Sequence, residues 1–407
     1  MINLYIFNES SSAAVYGIGT YIHELALAIK LVKINVCVIH LRTYNPDAEL
    51  SESGGIRHCF ISSPIHQNNL LEWDRQEELY YRNVVYLLQL QIKDTNSLIF
   101  HLNYNQSTKL AGRLKEVFDC KIITAVHYLN WCFSLSGNIT RFRNLLAQMD
   151  NSSELSIQKE YLKEKELFGL SDKIICLSEV TRKIIHNDYE KELSTISVIY
   201  NGLKDVKEKA SEKTLRKKYG IPLNVPILLF VGRLDAIKGL NYVISAFNEV
   251  LIQYPKSHLV IAGNGSYDTY LKECANNWMQ IHFTGLLSKE SLYELYSVAD
   301  IGLMPSFHEQ CSYVAIEMMM HGIPIISSTT TGLKEMVEDG ITGLHIPIKE
   351  CSDKVELDSR ELVQKILYLL QHPKDRKRMG KNARKRYETV YSADIFRKNM
   401  INLYQSM

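Results

Sequence analysis

Short apolar runs alternate along the chain with stretches whose apolar residues recur every three or four positions, the pattern of strands followed by amphipathic helices. Asn3 to Phe7 reads as the first strand. Gly17-Ile18-Gly19 reads as a loop, and Thr20 to Lys30 as a helix capped by Thr20, with Tyr21, Ile22, Leu25, Ala26 and Ile29 on its apolar stripe. Val36 to His40 is the next strand, and the order strand, glycine loop, helix, strand predicts a doubly wound α/β domain. Residues 44–72 are polar and rich in turn formers, which predicts loops. Strands follow at Leu98 to Leu102 and Lys121 to Val126, separated by a helix over Thr108 to Phe118. His127 stands directly after the second of these, at the strand end where open parallel sheets hold ligands; a histidine satisfied by packing is the plainer alternative.

Residues 131–165 are charged and end in a helical stretch, which predicts a mobile connection to a second domain. That domain is expected to begin with strands at Lys173 to Leu177 and Ile196 to Tyr200 and a turn at Asn201-Gly202. Pro226 to Val231 is an uninterrupted apolar run that ends in Gly232-Arg233-Leu234-Asp235-Ala236-Ile237-Lys238-Gly239, ahead of a helix from Leu240. Two cations on a glycine-bounded loop at a strand's carboxyl end form a candidate diphosphate clamp. His258 to Ala262 followed by Gly263-Asn264-Gly265 repeats the arrangement, and Phe283-Thr284-Gly285 precedes a helix over Lys289 to Val298. Ile301 to Met304 is a strand, Pro324 to Ser327 another, Thr329 to Gly343 is rich in turn formers, and three helical segments complete the chain.

Between those two strands lies the most informative stretch. Ser312 to His321 has helical spacing, which leaves Glu309 in the loop ahead of the helix and Glu317 two turns along it, with seven residues between the glutamates. A helix N-terminus offers free N–H groups to an anion, and carboxylates beside it are suited to accept hydrogen bonds from sugar hydroxyls. The alternative is a capped surface helix whose acidic residues suit the helix dipole.

Composition narrows the class. A length of 407 residues implies two or three domains, and a net charge of +2 gives no electrostatic case for nucleic acid as a partner. The eight cysteines are scattered without a CxxC, which points to reduced thiols and a cytosolic setting. The first residues lack the features of a signal peptide and no apolar run is long enough to span a bilayer, so peripheral contact with the inner face of a membrane is the form of association left open. The basic run from Lys374 to Arg386 reads as a solvated helix face. The first glycine loop is not a nicotinamide site: Ile22 stands where a third glycine is needed, and the second strand ends in His40-Leu41-Arg42 with no acid for a ribose.

Taken together, YGIGTYIHELA (16–26), AVHYLNW (125–131), VGRLDAIKGL (231–240), IAGNGSYDTYL (261–271), FTGLLSKESLYELYSVADIGLMPS (283–306) and HEQCSYVAIEMMMHGIPII (308–326) resemble the retaining nucleotide-sugar glycosyltransferases of family 4. The second half matches throughout; the first half matches only at the glycine loop and the histidine. One departure is the segment Gln310-Cys311-Ser312, where the family commonly has Gly-Phe-Gly; a middle cysteine is also found in the glycogen and starch synthase branch.

The resemblance implies an α/β fold of two Rossmann-like doubly wound domains facing each other across a cleft, the GT-B architecture. Residues 1–165 would form the acceptor-side domain, joined by 392–407 crossing back, and 166–391 the donor domain. It further implies catalytic roles for His127, Arg233, Lys238 and Glu309. Arg233 and Lys238 would hold the donor diphosphate, Glu309 the sugar hydroxyls and Glu317 the ribose. Gly17 and Gly19 would approach the diphosphate from the first domain. Gly232, Gly263, Gly265, Gly285 and Leu286 would line the donor site on one side, with Cys311, Ser312, Tyr313 and Val314 on the other. The implied reaction moves a hexose-type sugar from a nucleoside diphosphate to a hydroxyl acceptor (a glycan, a lipid-linked acceptor or another hydroxyl) with retention of configuration, without a cofactor. A phosphorylase or epimerase on the same scaffold, or a non-enzymatic partner in polysaccharide assembly, are the competing readings. A metal is not expected, since there is no Asp-x-Asp, and Glu164 with Glu166 sits in a charged stretch that reads as a solvated face.

Overall fold

The computed structural model describes residues 2–9, 17–30, 32, 34–44, 49–63, 73–103, 107–148, 155–206 and 211–407. The chain divides into two compact units.

The first unit comprises Met1–Trp131, Leu145–Gly202 and Ala393–Met407. Its sheet contains β1 (Ile2–Glu9), β2 (Ile34–Thr43), β3 (Glu49–Ser53), β4 (Ile56–Ser62), β5 (Leu98–Leu102), β6 (Lys121–Val126), β7 (Lys173–Cys176) and β8 (Ile196–Val198) in the order β3-β4-β2-β1-β5-β6-β7-β8. Every pair is parallel except β3–β4. β5 is buried at every position, the mark of a strand covered on both faces, whereas β3 is exposed throughout and guards the sheet's edge. One face packs Tyr5, Phe7, Ile39 and Phe100 against Tyr81, Val84 and Leu88 of the helix Trp73–Gln91 and Leu110 and Leu114 of the helix Thr108–Val117. The final helix, Ala393–Gln405, places Phe396, Met400, Leu403 and Tyr404 on one buried stripe. It packs on the helix Gly17–Ile29: the rings of Tyr21 and Phe396 meet edge to face at 5.5 Å, and Tyr404 Oη lies 2.7 Å from His101 Nδ1.

Four expectations change here. Gly17 and Gly19 lie in the first turn of the helix Gly17–Ile29, not in a loop ahead of it; residues 10–16 fall outside the described residues. The stretch 44–72 holds the β3–β4 hairpin, because Ile56, Cys59 and Ile61 bury one face of β4 against β2. The strands after Lys173 join the first sheet beside β6, so the expected boundary at 165/166 would cut the helix Leu155–Leu170 of the first unit. That helix is no mobile linker. Glu164 is fully buried on it, accepting hydrogen bonds from Asn130 N (2.8 Å) and Tyr189 Oη (2.5 Å), which removes it from any solvated face.

The second unit comprises Cys132–Asn144 and Leu203–Ser392. Its main sheet contains β9 (Ile227–Val231), β10 (His258–Ala262), β11 (Ile281–Gly285), β12 (Ile301–Met304), β13 (Ile325–Ser328) and β14 (Gly343–Ile346) in the order β11-β10-β9-β12-β13-β14, all parallel. β14 and the small antiparallel pair β15 (Ile348–Glu350) and β16 (Val355–Leu357) lie in a region read from sequence only as turns and helices. The core joins Leu228, Phe230, Leu259 and Ile261 to Val243, Phe247 and Val250 of the helix Leu240–Gln253. Residues 132–144 dock on the β15–β16 pair through Asn138 Nδ2 to Cys351 O (2.7 Å), Thr140 Oγ1 to Glu350 (2.7 Å) and Arg141 to Asp353 O (2.9 Å). Part of the basic run on the helix Pro373–Arg386 is also tied down, Arg384 forming a two-pronged pair with Asp205 (2.9 and 2.6 Å) and Arg386 bonding Glu338. All eight cysteines are free thiols.

Candidate functional site

Strand order in the second sheet reverses between β9 and β12, and open parallel sheets bind ligands beyond the carboxyl ends of the strands at such a point. The loop leaving β9 carries Arg233 and Lys238; the loop leaving β12 carries Glu309. They meet: Lys238 Nζ lies 2.5 Å from Glu309 Oε1, with both side chains mostly buried. Ser306 Oγ donates to the same carboxylate oxygen at 3.2 Å. Arg233 is more open and pairs with Asp235 at 3.2 Å.

Backbone bonds hold the two loops in register. Phe307 N donates to Ile237 O (2.8 Å), and the Glu309 carbonyl accepts from Gly332 N (2.8 Å) and the Thr331 hydroxyl. Gly239 makes the approach possible. Its φ of +70° is left-handed, and a Cβ there would stand 2.5 Å from Pro305 O. The neighbouring loops are laced in the same way: Gly232 N donates to Ala262 O, Leu234 N to Asn264 O and Gly263 N to Gly285 O, and Gly265 bridges Leu234. A Cβ on Gly263 would overlap Gly232 O at 1.8 Å, so this glycine serves loop-to-loop packing. Leu286 beyond them is exposed.

Ser312 caps the helix Tyr313–Met320, its Oγ accepting from Ala315 N at 3.5 Å. Cys311 and Ser312 are buried, while Tyr313 and Val314 are half-buried. Glu317 is buried too, and its Oε2 accepts from Tyr296 Oη at 2.9 Å. Burial raises its pKa, opposed by the Tyr296 hydrogen bond. Sequence reasoning missed Tyr296, Ser306 and Asp235; only Asp235, two residues from Arg233, had a readable signal.

Between Phe307 and Glu309 stands His308, 6% exposed, with no hydrogen-bond partner for either ring nitrogen among the described residues. Desolvation pulls its pKa down to about 4; the Glu309 charge opposes this and Lys238 adds to it.

In the first unit, His127 follows β6 and bonds Asn103 Oδ1 through Nε2 at 3.1 Å. Asn103 Nδ2 donates to Phe7 O, which fixes the amide so that its oxygen faces the imidazole. Burial lowers the His127 pKa to about 3, so the ring is neutral near pH 7. A neutral ring that donates from Nε2 keeps Nδ1 as an acceptor. Tyr21 from the helix Gly17–Ile29 packs edge-on against it at 4.7 Å. Gly17, at the start of that helix, has nothing among the described residues within 4 Å of where a Cβ would stand. Among the described residues no group of three or more His, Cys, Asp or Glu side chains is assembled that could hold a metal ion.

Comparison with known proteins matches residues 211–386 to the family described as "Glycosyl transferases group 1". An uncharacterized glycosyltransferase of Methanocaldococcus jannaschii is 28% identical over 254 residues, which cover 60% of this chain and 62% of that protein. The structure of sucrose-phosphate synthase from Thermosynechococcus elongatus superposes with a TM-score of 0.80 at 20% identity, covering 100% of this chain and 99% of that one. Anabaena HepE, solved in complex with UDP-glucose, gives 0.72 at 14% identity with full coverage of both chains. Residues 211–386 thus resemble the glycosyl transferases group 1 family, in a chain with the GT-B fold.

Proposed function

We propose that the protein is a glycosyltransferase that moves a sugar from a nucleoside-diphosphate sugar to a hydroxyl acceptor with retention of configuration, in the manner of family 4. The observation that carries this reading is the Lys238–Glu309 pair at the switch point of β9 and β12, with Arg233 on the same loop. In this reading the bond between the anomeric carbon and the diphosphate oxygen breaks, and a bond to the acceptor oxygen forms on the same face. The acceptor's proton passes to the departing diphosphate. Arg233 and Lys238 stabilise the charge that develops on that leaving group; fixed donors of this kind act without reorganisation at the moment of reaction. Glu309 exchanges part of its bond to Lys238 for the sugar hydroxyls, and Glu317 serves the nucleotide ribose. His127, with Nδ1 as acceptor, serves a hydroxyl of the transferred sugar in this scheme, and the acceptor hydroxyl keeps its one proton for the diphosphate. Two cations at the diphosphate make a metal there redundant and repelled. HepE, a fold neighbour, was solved with UDP and glucose, which supports a nucleotide sugar as donor. The first unit is the proposed acceptor side; the acceptor is a glycan, a lipid-linked acceptor or another hydroxyl, and a peripheral station on the inner face of a membrane fits a lipid-linked one. The test is proton NMR of the product formed from an α-linked nucleotide sugar: an α-linked product supports the scheme, and a β-linked one refutes retention.

A further inference from the structure

His308 is held rigidly and used by nothing. Its neighbours' backbones are pinned on both sides: Phe307 N donates to Ile237 O, Phe307 O accepts from Thr330 Oγ1 at 2.6 Å, and Glu309 O accepts from Gly332 N at 2.8 Å. Yet neither imidazole nitrogen meets a partner among the described residues, although the side chain is 6% exposed. Buried polar atoms are satisfied in the large majority of cases, and an orphan marks a missing ligand, a missing water or a functional demand.

The surroundings favour a ligand. The ring lies within the fields of both Lys238 and Glu309, the two groups of the candidate donor site. Its cover is thin. Phe133 meets it edge to face, ring centres 6.1 Å apart, and is itself 47% exposed, so one neighbour of the imidazole is a surface ring. Gly137, on the same docked segment, passes so close that a Cβ would stand 2.7 Å from Phe307 O and 3.7 Å from His308 Cβ. The segment therefore presses on the backbone here while leaving the imidazole unbonded. A neutral imidazole offers one donor and one acceptor, the complement of a sugar hydroxyl, which also donates and accepts.

We propose that His308 is a specificity-determining residue that hydrogen-bonds a hydroxyl of the transferred sugar next to the one read by Glu309. This rests on the donor site proposed above and adds a reader to it. Such a site penalises a ligand lacking the hydroxyl, because the buried ring is then left unpaired.

The test uses the full chain as wild type, His308→Leu and His308→Gln, titrated calorimetrically with UDP-glucose, UDP-N-acetylglucosamine, GDP-mannose and ADP-glucose, each beside its bare nucleotide. The expected result is a preference of the wild type for one sugar-bearing ligand over its bare nucleotide. His308→Leu lowers that preference about tenfold with the bare nucleotide unchanged, and His308→Gln, which keeps a donor and an acceptor, restores part of it. If one variant fails to fold, the other carries the comparison against wild type: unaltered preference in His308→Leu, or a loss in His308→Gln as deep as ablation of the sugar's contribution, overturns the proposal. Equal loss of sugar-bearing and bare nucleotide also overturns it. If the wild type binds none of the ligands, the donor-site reading falls with it; if the wild type binds and the variants match it, His308 alone is refuted.

Discussion

Lys238→Ala separates the two things the Lys238–Glu309 pair is asked to do. The side chains are 19% and 14% exposed and their charged atoms are 2.5 Å apart, so the pair sits between a surface bridge and a fully buried one. Exposed bridges contribute about 0.2–1 kcal/mol, and removing one partner of a buried pair costs about 3–5 kcal/mol. Removing Lys238 alone is therefore expected to destabilise by about 1–3 kcal/mol, since among the described residues Glu309 keeps the Ser306 hydroxyl on that oxygen and no second cation. The double variant Lys238→Ala with Glu309→Gln should recover most of this, because the stranded charge is gone. Catalysis should respond differently: a lost fixed charge donor costs about 2–4 kcal/mol of transition-state stabilisation, and the double variant recovers none of it. Urea denaturation of the four proteins of the cycle gives the first quantity, and initial rates of donor turnover give the second. Full turnover in Lys238→Ala, or a rate that returns when Glu309 is neutralised, would show that the pair is structural and refute its catalytic assignment.

Other outcomes follow from the same geometry. Gly239→Ala forces a Cβ against Pro305 O at φ +70°, so a loss of about 1–2 kcal/mol from the left-handed backbone, plus the clash, is expected in the urea midpoint; an unchanged midpoint would mean the loop relaxes freely. His101 is fully buried, and burial holds its pKa near 3 against 6.5 for the unfolded chain. Between those values the unfolded state binds the extra proton, so stability is intact above pH 6.5 and falls as pH drops, by about 1.4 kcal/mol per pH unit for this one residue. His101→Gln should flatten the slope by that amount, and parallel slopes for wild type and variant would contradict it. Transfer activity should persist in excess EDTA, and a loss that manganese restores would hand the leaving group's charge to a metal in place of Arg233 and Lys238.

What could be read beforehand divides along physical lines. β10 and β12 and the start of the helix at Leu240 coincide with the sequence reading, because parallel strands buried on both faces are continuous apolar runs bounded by glycine, proline or aspartate. The meeting of Lys238 with Glu309 was implied only by resemblance, since the contact spans 71 positions. β3 escaped notice because every residue in it is exposed and no apolar alternation marks it. The strands after Lys173 were legible as strands, but their place beside β6 depends on pairing across about 50 residues, which no local pattern encodes. Glu164 looked solvated amid lysines; its partners Asn130 and Tyr189 lie 34 and 25 residues away. The orphaned state of His308 is likewise a property of packing.

The most direct test of the account is thermal stability against a panel of UDP-, GDP- and ADP-sugars and sugar 1-phosphates, on wild type and Lys238→Ala. A ligand present at one hundred times its dissociation constant stabilises the folded chain by about 2.7 kcal/mol. The account predicts that at least one nucleotide sugar does so for the wild type and that the effect shrinks or vanishes in the variant. Stabilisation by a sugar 1-phosphate with none by any nucleotide sugar, or an equal response in the two proteins, would contradict it.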